Sequence, residues 1–138
     1  MKIEQVSEHI WSLQAWLMIP VRVWVVVDEE GVTLVDAGMP FMAKGTPGHS
    51  PGHVVYFHEQ DQVLLAGDLF TSRRGKLRPP MSLFTGDMAA AIRSAGIVKK
   101  LNPRRLEVCH GGPVFAPADQ LDAYLHRHAS QAQGGVDR

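Results

Sequence analysis

A single cysteine, Cys109, stands in the 138 residues, which excludes an internal disulfide and a cysteine-rich zinc module and fits a reducing compartment. Neither sign of charge is in excess. Lys plus Arg and Asp plus Glu number 14 each, so no basic field is there to gather nucleic acid. An uninterrupted apolar run of membrane-spanning length is also missing. The stretch from Ile10 to Val27 comes nearest, but Pro20 and Arg22 interrupt it and Ser12 and Gln14 add polarity, so it reads as sheet strands. The opening MKIEQVSEHI holds acids and no early apolar block. The expectation is therefore no secretory leader, no membrane partner and a cytoplasmic location. Internal repeats and low-complexity segments are absent as well.

What remains is ordinary globular composition, 45% apolar and 20% charged, which predicts one domain over residues 1–138 with a real core. Residues 2–6 and 9–17 alternate like short strands. VRVWVVVD (21–28) and VTLVDAG (32–38) read as a hairpin closed by Glu29-Glu30-Gly31. HVVYFHEQ and DQVLLAGD (53–60 and 61–68) read as a second hairpin. The continuous runs VWVVV and VLLAG predict strands buried on both faces. Residues 69–86 read as a loop, with Arg73, Arg74, Lys76 and Arg78 as solvated cations. Asp87 is placed to cap a helix running to about Lys100, closed by Pro103. LEVCH (106–110) predicts a short buried strand, Pro117 to Ala129 a final helix, and the tail QAQGGVDR a frayed end.

Chemistry collects at strand ends. LLAGD delivers Asp68, LEVCHGG delivers His110 and LVDAG delivers Asp36, each from a buried strand into a glycine-containing turn, while TPGHSPGH places His49 and His53 just before a strand. Imidazole and carboxylate groups on rigid strand ends suit a zinc-like cation, and glycine lets the backbone turn. Between LVDAG and TPGHSPGH lie only Met39 to Gly45, too few residues for another element of any size. The other histidines read as structural or surface groups. His58 falls at a hairpin tip and is expected exposed, and His9 has no partner in sequence. His126 and His128 do not share a helix face. Cys109 reads as strand filler, and the three tryptophans Trp11, Trp16 and Trp24 as core or interface.

The ordered set LVDAG, TPGHSPGHVVYF, VLLAGDLF and VCHGGPV resembles the metallo-β-lactamase superfamily, which includes glyoxalase II-type thioesterases and lactonases. The resemblance implies a four-layer αβ/βα sandwich with a one- or two-metal site at the edge between the sheets. By the motifs, His49 corresponds to a ligand of the first metal, Asp68 to the carboxylate bridging both, and His110 to a ligand of the second. Asp68 thereby takes the catalytic position, with Asp36 supporting the site from behind the ligands and His53 as a hydrogen-bonded support.

The departure is as informative as the match. Family members carry His-x-His-x-Asp-His between the LVDAG strand and the TPGH turn, and this chain contains no such motif. The expectation is an α/β (α+β) chain: a partial metallo-β-lactamase-like sandwich of mostly antiparallel and mixed sheet with C-terminal helices and an apparent internal deletion near residues 41–46. A catalytic zinc wants about three protein ligands and an open position, so at most one weakly held zinc ion is expected rather than two. Function is then expected as that of a scaffold related to hydrolases of small-molecule esters, thioesters or lactones, with impaired catalysis. The alternatives are an active hydrolase using a minimal His49/Asp68/His110 site, with a small-molecule substrate, or a non-enzymatic homodimeric or domain-swapped module.

Overall fold

A computed structural model describes residues 2–16, 20–28, 31–35 and 42–133. Asp36, the Glu29-Glu30 tip of the first hairpin and the last five residues of the tail lie outside them, as does the side chain of Trp16. The N-terminal part is an antiparallel meander in the order β1 (Lys2–Gln5), β2 (Ile10–Trp16), β3 (Pro20–Asp28) and β4 (Gly31–Val35). The second sheet contains β5 (Met42–Gly45), β6 (Val54–His58), β7 (Val63–Leu65), β10 (Arg105–Glu107) and β11 (Val114–Phe115). Its spatial order is β11-β10-β7-β6-β5. All its pairings are antiparallel except β7 with β10.

Between β7 and β10 the chain forms a small hairpin, β8 (Thr71–Arg73) and β9 (Lys76–Arg78), and then the helices α1 (Met88–Ser94) and α2 (Ile97–Leu101). Helices α3 (Pro117–Arg127) and α4 (Ala129–Gln133) close the described chain. Among the described residues no helix is long and apolar enough to cross a membrane.

The central strand β7 explains the layering, because successive side chains on a strand point to opposite faces. Leu64 joins Val55, Phe57, Leu106, Ile92, Val98 and Leu121 in the larger core, between the second sheet and the helices. Val63 and Leu65 point the other way, into a smaller core with Val6, Ile10 and Trp24 of the meander. Burying a Leu, Val or Phe side chain contributes about 1.5–3 kcal/mol relative to exposure, so β7 stabilises both interfaces at once. VLLAG is thus buried on both faces, as its composition predicts. VWVVV is not: Trp24 is buried, but Val27 is 41% exposed.

Several local expectations change. Met42–Gly45, read as too short for an element, is the edge strand β5, because its backbone pairs with Val54–Phe57 of β6. The cationic loop contains the β8–β9 hairpin, turned by Arg74 (φ 52°) and Gly75 (φ 70°). Two successive positive φ values are the requirement of the type I′ turn. Its four cations remain exposed. The helix after Asp87 forms, with the Asp87 carboxylate accepting from the Ala90 N–H, but it breaks into α1 and α2 around Ala95-Gly96. Cys109 is half-buried against the smaller core.

His58 and His9 also depart from expectation. His58 is buried rather than exposed, because the β6–β7 turn folds against the start of β2. There the Asp61 carboxylate accepts from the Ser7 hydroxyl and the His9 backbone N–H and lies 3.1 Å from His9 Nδ1. Desolvation pushes the Asp61 pKa up, but the Ser7 and His9 hydrogen bonds and the nearby His58 outweigh it and hold the carboxyl below its ordinary range.

A second polar tie joins the sheets. Arg105 reaches Glu107 Oε1 at 2.6 Å through Nε and donates from Nη1 to the Val6 carbonyl at 2.9 Å. Glu107 is wholly buried. Removing one partner of a buried pair typically costs on the order of 3 kcal/mol, while an exposed pair contributes about 1 kcal/mol or less. Arg105→Ala should therefore lower unfolding stability several times more than Lys99→Ala, which breaks only the exposed Lys99–Asp122 pair. Urea unfolding of both variants checks this.

Candidate metal centre at the ends of β7 and β10

The parallel register between β7 and β10 sets the site. Leu65 lies opposite Glu107, and the pairing runs on past the strands, with the Ala66 N–H donating to the Glu107 carbonyl and the Cys109 N–H to the Gly67 carbonyl. Asp68 and His110 each follow the paired residues by three positions, so the two strands deliver them side by side. Asp68 Oδ1 is 3.4 Å from His110 Nε2. His49 arrives from the β5–β6 connection, and its Nε2 lies 3.7 Å from Asp68 Oδ2. One carboxylate thus has an imidazole at each oxygen, and all three side chains are partly exposed, as a site open to solvent requires.

The hydrogen-bond network fixes how the rings are presented. Thr85 Oγ1 donates its one proton to the Met81 carbonyl at 2.8 Å. It can therefore only accept from His49 Nδ1, 3.4 Å away. In the neutral ring the His49 Nε2 lone pair then faces the Asp68 carboxylate, two electron-rich groups between which a metal ion, or a proton on the ring, would be accommodated. His53 does different work. The Asp68 backbone N–H donates to His53 Nε2 at 3.2 Å, so the ring proton sits on Nδ1, 2.9 Å from Thr46 Oγ1. Burial, and next the neighbouring His49, lower the His53 pKa below its ordinary value, against the opposing pull of Asp68. A neutral His53 is the form that can accept from Asp68.

His49, Asp68 and His110 are therefore brought together, and His53 touches the Asp68 backbone from behind. Asp36 lies outside the described residues. Sequence reasoning missed Thr46 and Thr85, which orient the two TPGHSPGH histidines. Thr46 opens that motif, but the Thr85 contact depends on how the loop before α1 folds back.

Among the described residues, the donors that meet here are His49, Asp68 and His110. The two histidines approach different oxygens of Asp68, so among the described residues each carboxylate oxygen has one imidazole beside it, where a catalytic zinc would take about three protein ligands. Among the described residues, the one trio of His, Cys, Asp or Glu whose donor atoms all lie within 4.8 Å of one another is elsewhere, at His9, His58 and Asp61.

Comparison with known proteins follows the same outline. The model of the metallo-beta-lactamase superfamily matches residues 40–110, a stretch containing His49, Asp68 and His110. The chain is 37% identical over 92 residues to the probable metallo-hydrolase YybB of Bacillus subtilis (strain 168), covering 67% of this chain and 42% of that protein. It is 31% identical over 94 residues to the probable metallo-hydrolase YflN of the same organism, covering 57% and 36%. The chain thus spans about two-fifths of the length of these relatives. Among solved structures, a metallo-beta-lactamase from Pontibacter korlensis aligns with TM-score 0.65 and 12% identity over 96% of this chain and 99% of that one. An archaeal superfamily protein, ST1585 from Sulfolobus tokodaii, aligns with TM-score 0.52 and 21% identity over 71% and 37%. At these identities the structural likeness shows the fold alone.

Gly48 holds His49 in place. Its φ is 142°, and a Cβ there would fall 2.2 Å from the Ala91 backbone nitrogen of α1. The turn is also tied by the Asp87 N–H donating to the Gly48 carbonyl and the Gly86 N–H to the His49 carbonyl. Gly48→Ala should destabilise by at least about 2 kcal/mol through strain and clash. Gly52→Ala, where nothing lies within 4 Å, should change stability by about 0.5 kcal/mol or less. Thermal unfolding of the pair checks the contrast.

Proposed function

The chain belongs to the metallo-β-lactamase superfamily, and from that premise we propose that it keeps a hydrolase scaffold whose metal site is incomplete. That site holds zinc weakly, at most one ion, and the chain's turnover of small-molecule esters, thioesters or lactones is weak or absent. The observation that carries this reading is the Asp68 carboxylate with one histidine at each oxygen, in a chain that contains no His-x-His-x-Asp-His motif. A zinc ion bound in such a site would supply Lewis acidity and a water of lowered pKa. With two protein donors per position, binding is too weak to keep that chemistry at work.

The chain's own groups do the positioning. His53 and the β7–β10 pairing hold Asp68, Thr85 turns His49 toward it, and the β10 end supplies His110. β5 pairs with β6 and the family match begins at residue 40, so Met42–Gly45 goes with the TPGH side of the junction. This grouping supports a junction near residues 41–46 as the place from which a ligand-bearing segment is missing.

Zinc analysis of the dialysed protein, with His49→Ala and His110→Ala as controls, tests the reading. Less than one equivalent should depend on these two residues, and ester, thioester and lactone hydrolysis should stay near the buffer rate with added zinc. A full equivalent lost in both variants, together with zinc-dependent hydrolysis, would establish the minimal active site instead.

A homodimer, by edge pairing or domain swapping, is the second part of the proposal. β4 and β5 are both edge strands in the described sheets, and exposed edges are templates for another chain. Light scattering should give twice the monomer mass at micromolar concentration; a clean monomer would count against it.

A further inference from the structure

A different group of donors lies at the opposite end of β7 from Asp68. His58 and Asp61 flank the β6–β7 turn, and His9 immediately precedes β2 of the other sheet. Their donor atoms all lie within 4.8 Å of one another. His9 Nδ1 is 3.1 Å from Asp61 Oδ1, and His58 Nδ1 is 3.6 Å from Asp61 Oδ2. Around a tetrahedral zinc with bonds of about 2.0–2.1 Å, neighbouring N and O donors stand about 3.3–3.4 Å apart. The two carboxylate contacts, one to each oxygen, stand on either side of that spacing, and with all donors within 4.8 Å of one another a small ion would draw the two rings closer together.

The side chains are 22%, 8% and 6% exposed for His9, His58 and Asp61, which leaves one shielded edge open to solvent through His9. The positions are also fixed independently of any ion. The Ser7 hydroxyl and His9 N–H hold the carboxylate, and the Asp61 N–H donates to His58 Nδ1 at 3.2 Å. His58 Nδ1 is the ring nitrogen that faces Asp61 Oδ2, so an ion bound there would replace the Asp61 N–H as its partner.

We propose that His9, His58 and Asp61 form a divalent-cation site, distinct from the Asp68 centre, that clasps the N-terminal meander to the β6–β7 hairpin. Two imidazoles and one carboxylate select a borderline ion such as zinc over calcium or magnesium, which take mainly oxygen ligands. Three protein donors leave one position for water. The role is structural: the ion ties two sheets that, among the described residues, also meet through the small core around Val6, Ile10 and Trp24 and through the Arg105 tie. Where His9 binds through Nδ1, its ring proton resides on Nε2 and the ion occupies the place between Nδ1 and the carboxylate.

The test uses the full chain, stripped of metal, carrying His49→Ala and His110→Ala so that the Asp68 centre is removed. Cobalt(II) titration should still show one equivalent with visible ligand-field bands, and excess zinc should raise the unfolding midpoint. Adding His9→Ala should weaken cobalt binding at least about tenfold and abolish the zinc-induced rise, and His58→Asn should do the same. Should His58→Asn not fold, His9→Ala decides alone, because that side chain is the most exposed of the three. A folded double variant that binds no cobalt overturns the clasp, as does binding unchanged by His9→Ala. Because the background lacks both Asp68-centre histidines, neither result bears on the reading of that centre.

Discussion

The parallel pairing of β7 with β10 is the constraint on which the rest depends. It is the only parallel contact among the described strands of the second sheet, and a parallel pair cannot be closed by a tight turn. The chain therefore spends residues 66–104 returning, and those residues build the β8–β9 hairpin and helices α1 and α2 that cover the sheet. Because the two strands run in the same direction, their carboxyl ends lie together, and whatever follows each strand is presented at one edge. Asp68 and His110 meet for that reason, at equal offsets from the paired Leu65 and Glu107.

The same strand divides the core. Leu64 serves the helical side, and Val63 and Leu65 serve the meander. Between these apolar contacts sit polar ties: Arg105 to Glu107 and the Val6 carbonyl, and Asp61 to Ser7 and His9. Each leads from the second sheet into the short segment between β1 and β2. Polar groups in such positions stabilise only when every partner is present, so this segment is specified by hydrogen-bond geometry as much as by burial.

Much of this was legible in the sequence, for identifiable reasons. LLAGD and LEVCHGG each join an apolar run to a metal-capable residue at a glycine-containing turn, and Asp87 is a strong helix cap. His53 was readable as a hydrogen-bonded support because the family pattern assigns the ligand position to His49. What could not be read depends on contacts distant in sequence. β5 is a strand because β6 supplies its partners, although MAKG has no strand signature of its own. His58 sits at a turn, where exposure is the usual expectation, and only the approach of residues 6–10 buries it. Thr85 reaches His49 across 36 residues, through a loop whose path no local pattern encodes. The break between α1 and α2 falls at Ala95-Gly96, inside the span expected to be one helix from Asp87 to about Lys100.

The convergence of His49, Asp68 and His110 is weaker evidence for catalysis than it first looks. None of the forces that produce it involves a metal. Strand pairing delivers Asp68 and His110, the His53 ring anchors the Asp68 backbone, and the close packing of Gly48 on α1 sets the TPGH turn. A chain that had lost the other ligands would keep this geometry unchanged, because the scaffold and the metal contribute to different parts of it. Placement of these three residues therefore follows from the fold, and catalysis depends on the donors that the fold alone does not supply. The contact of His49 Nε2 with a carboxylate oxygen is satisfied either by a metal ion between the two groups or by a proton on the ring.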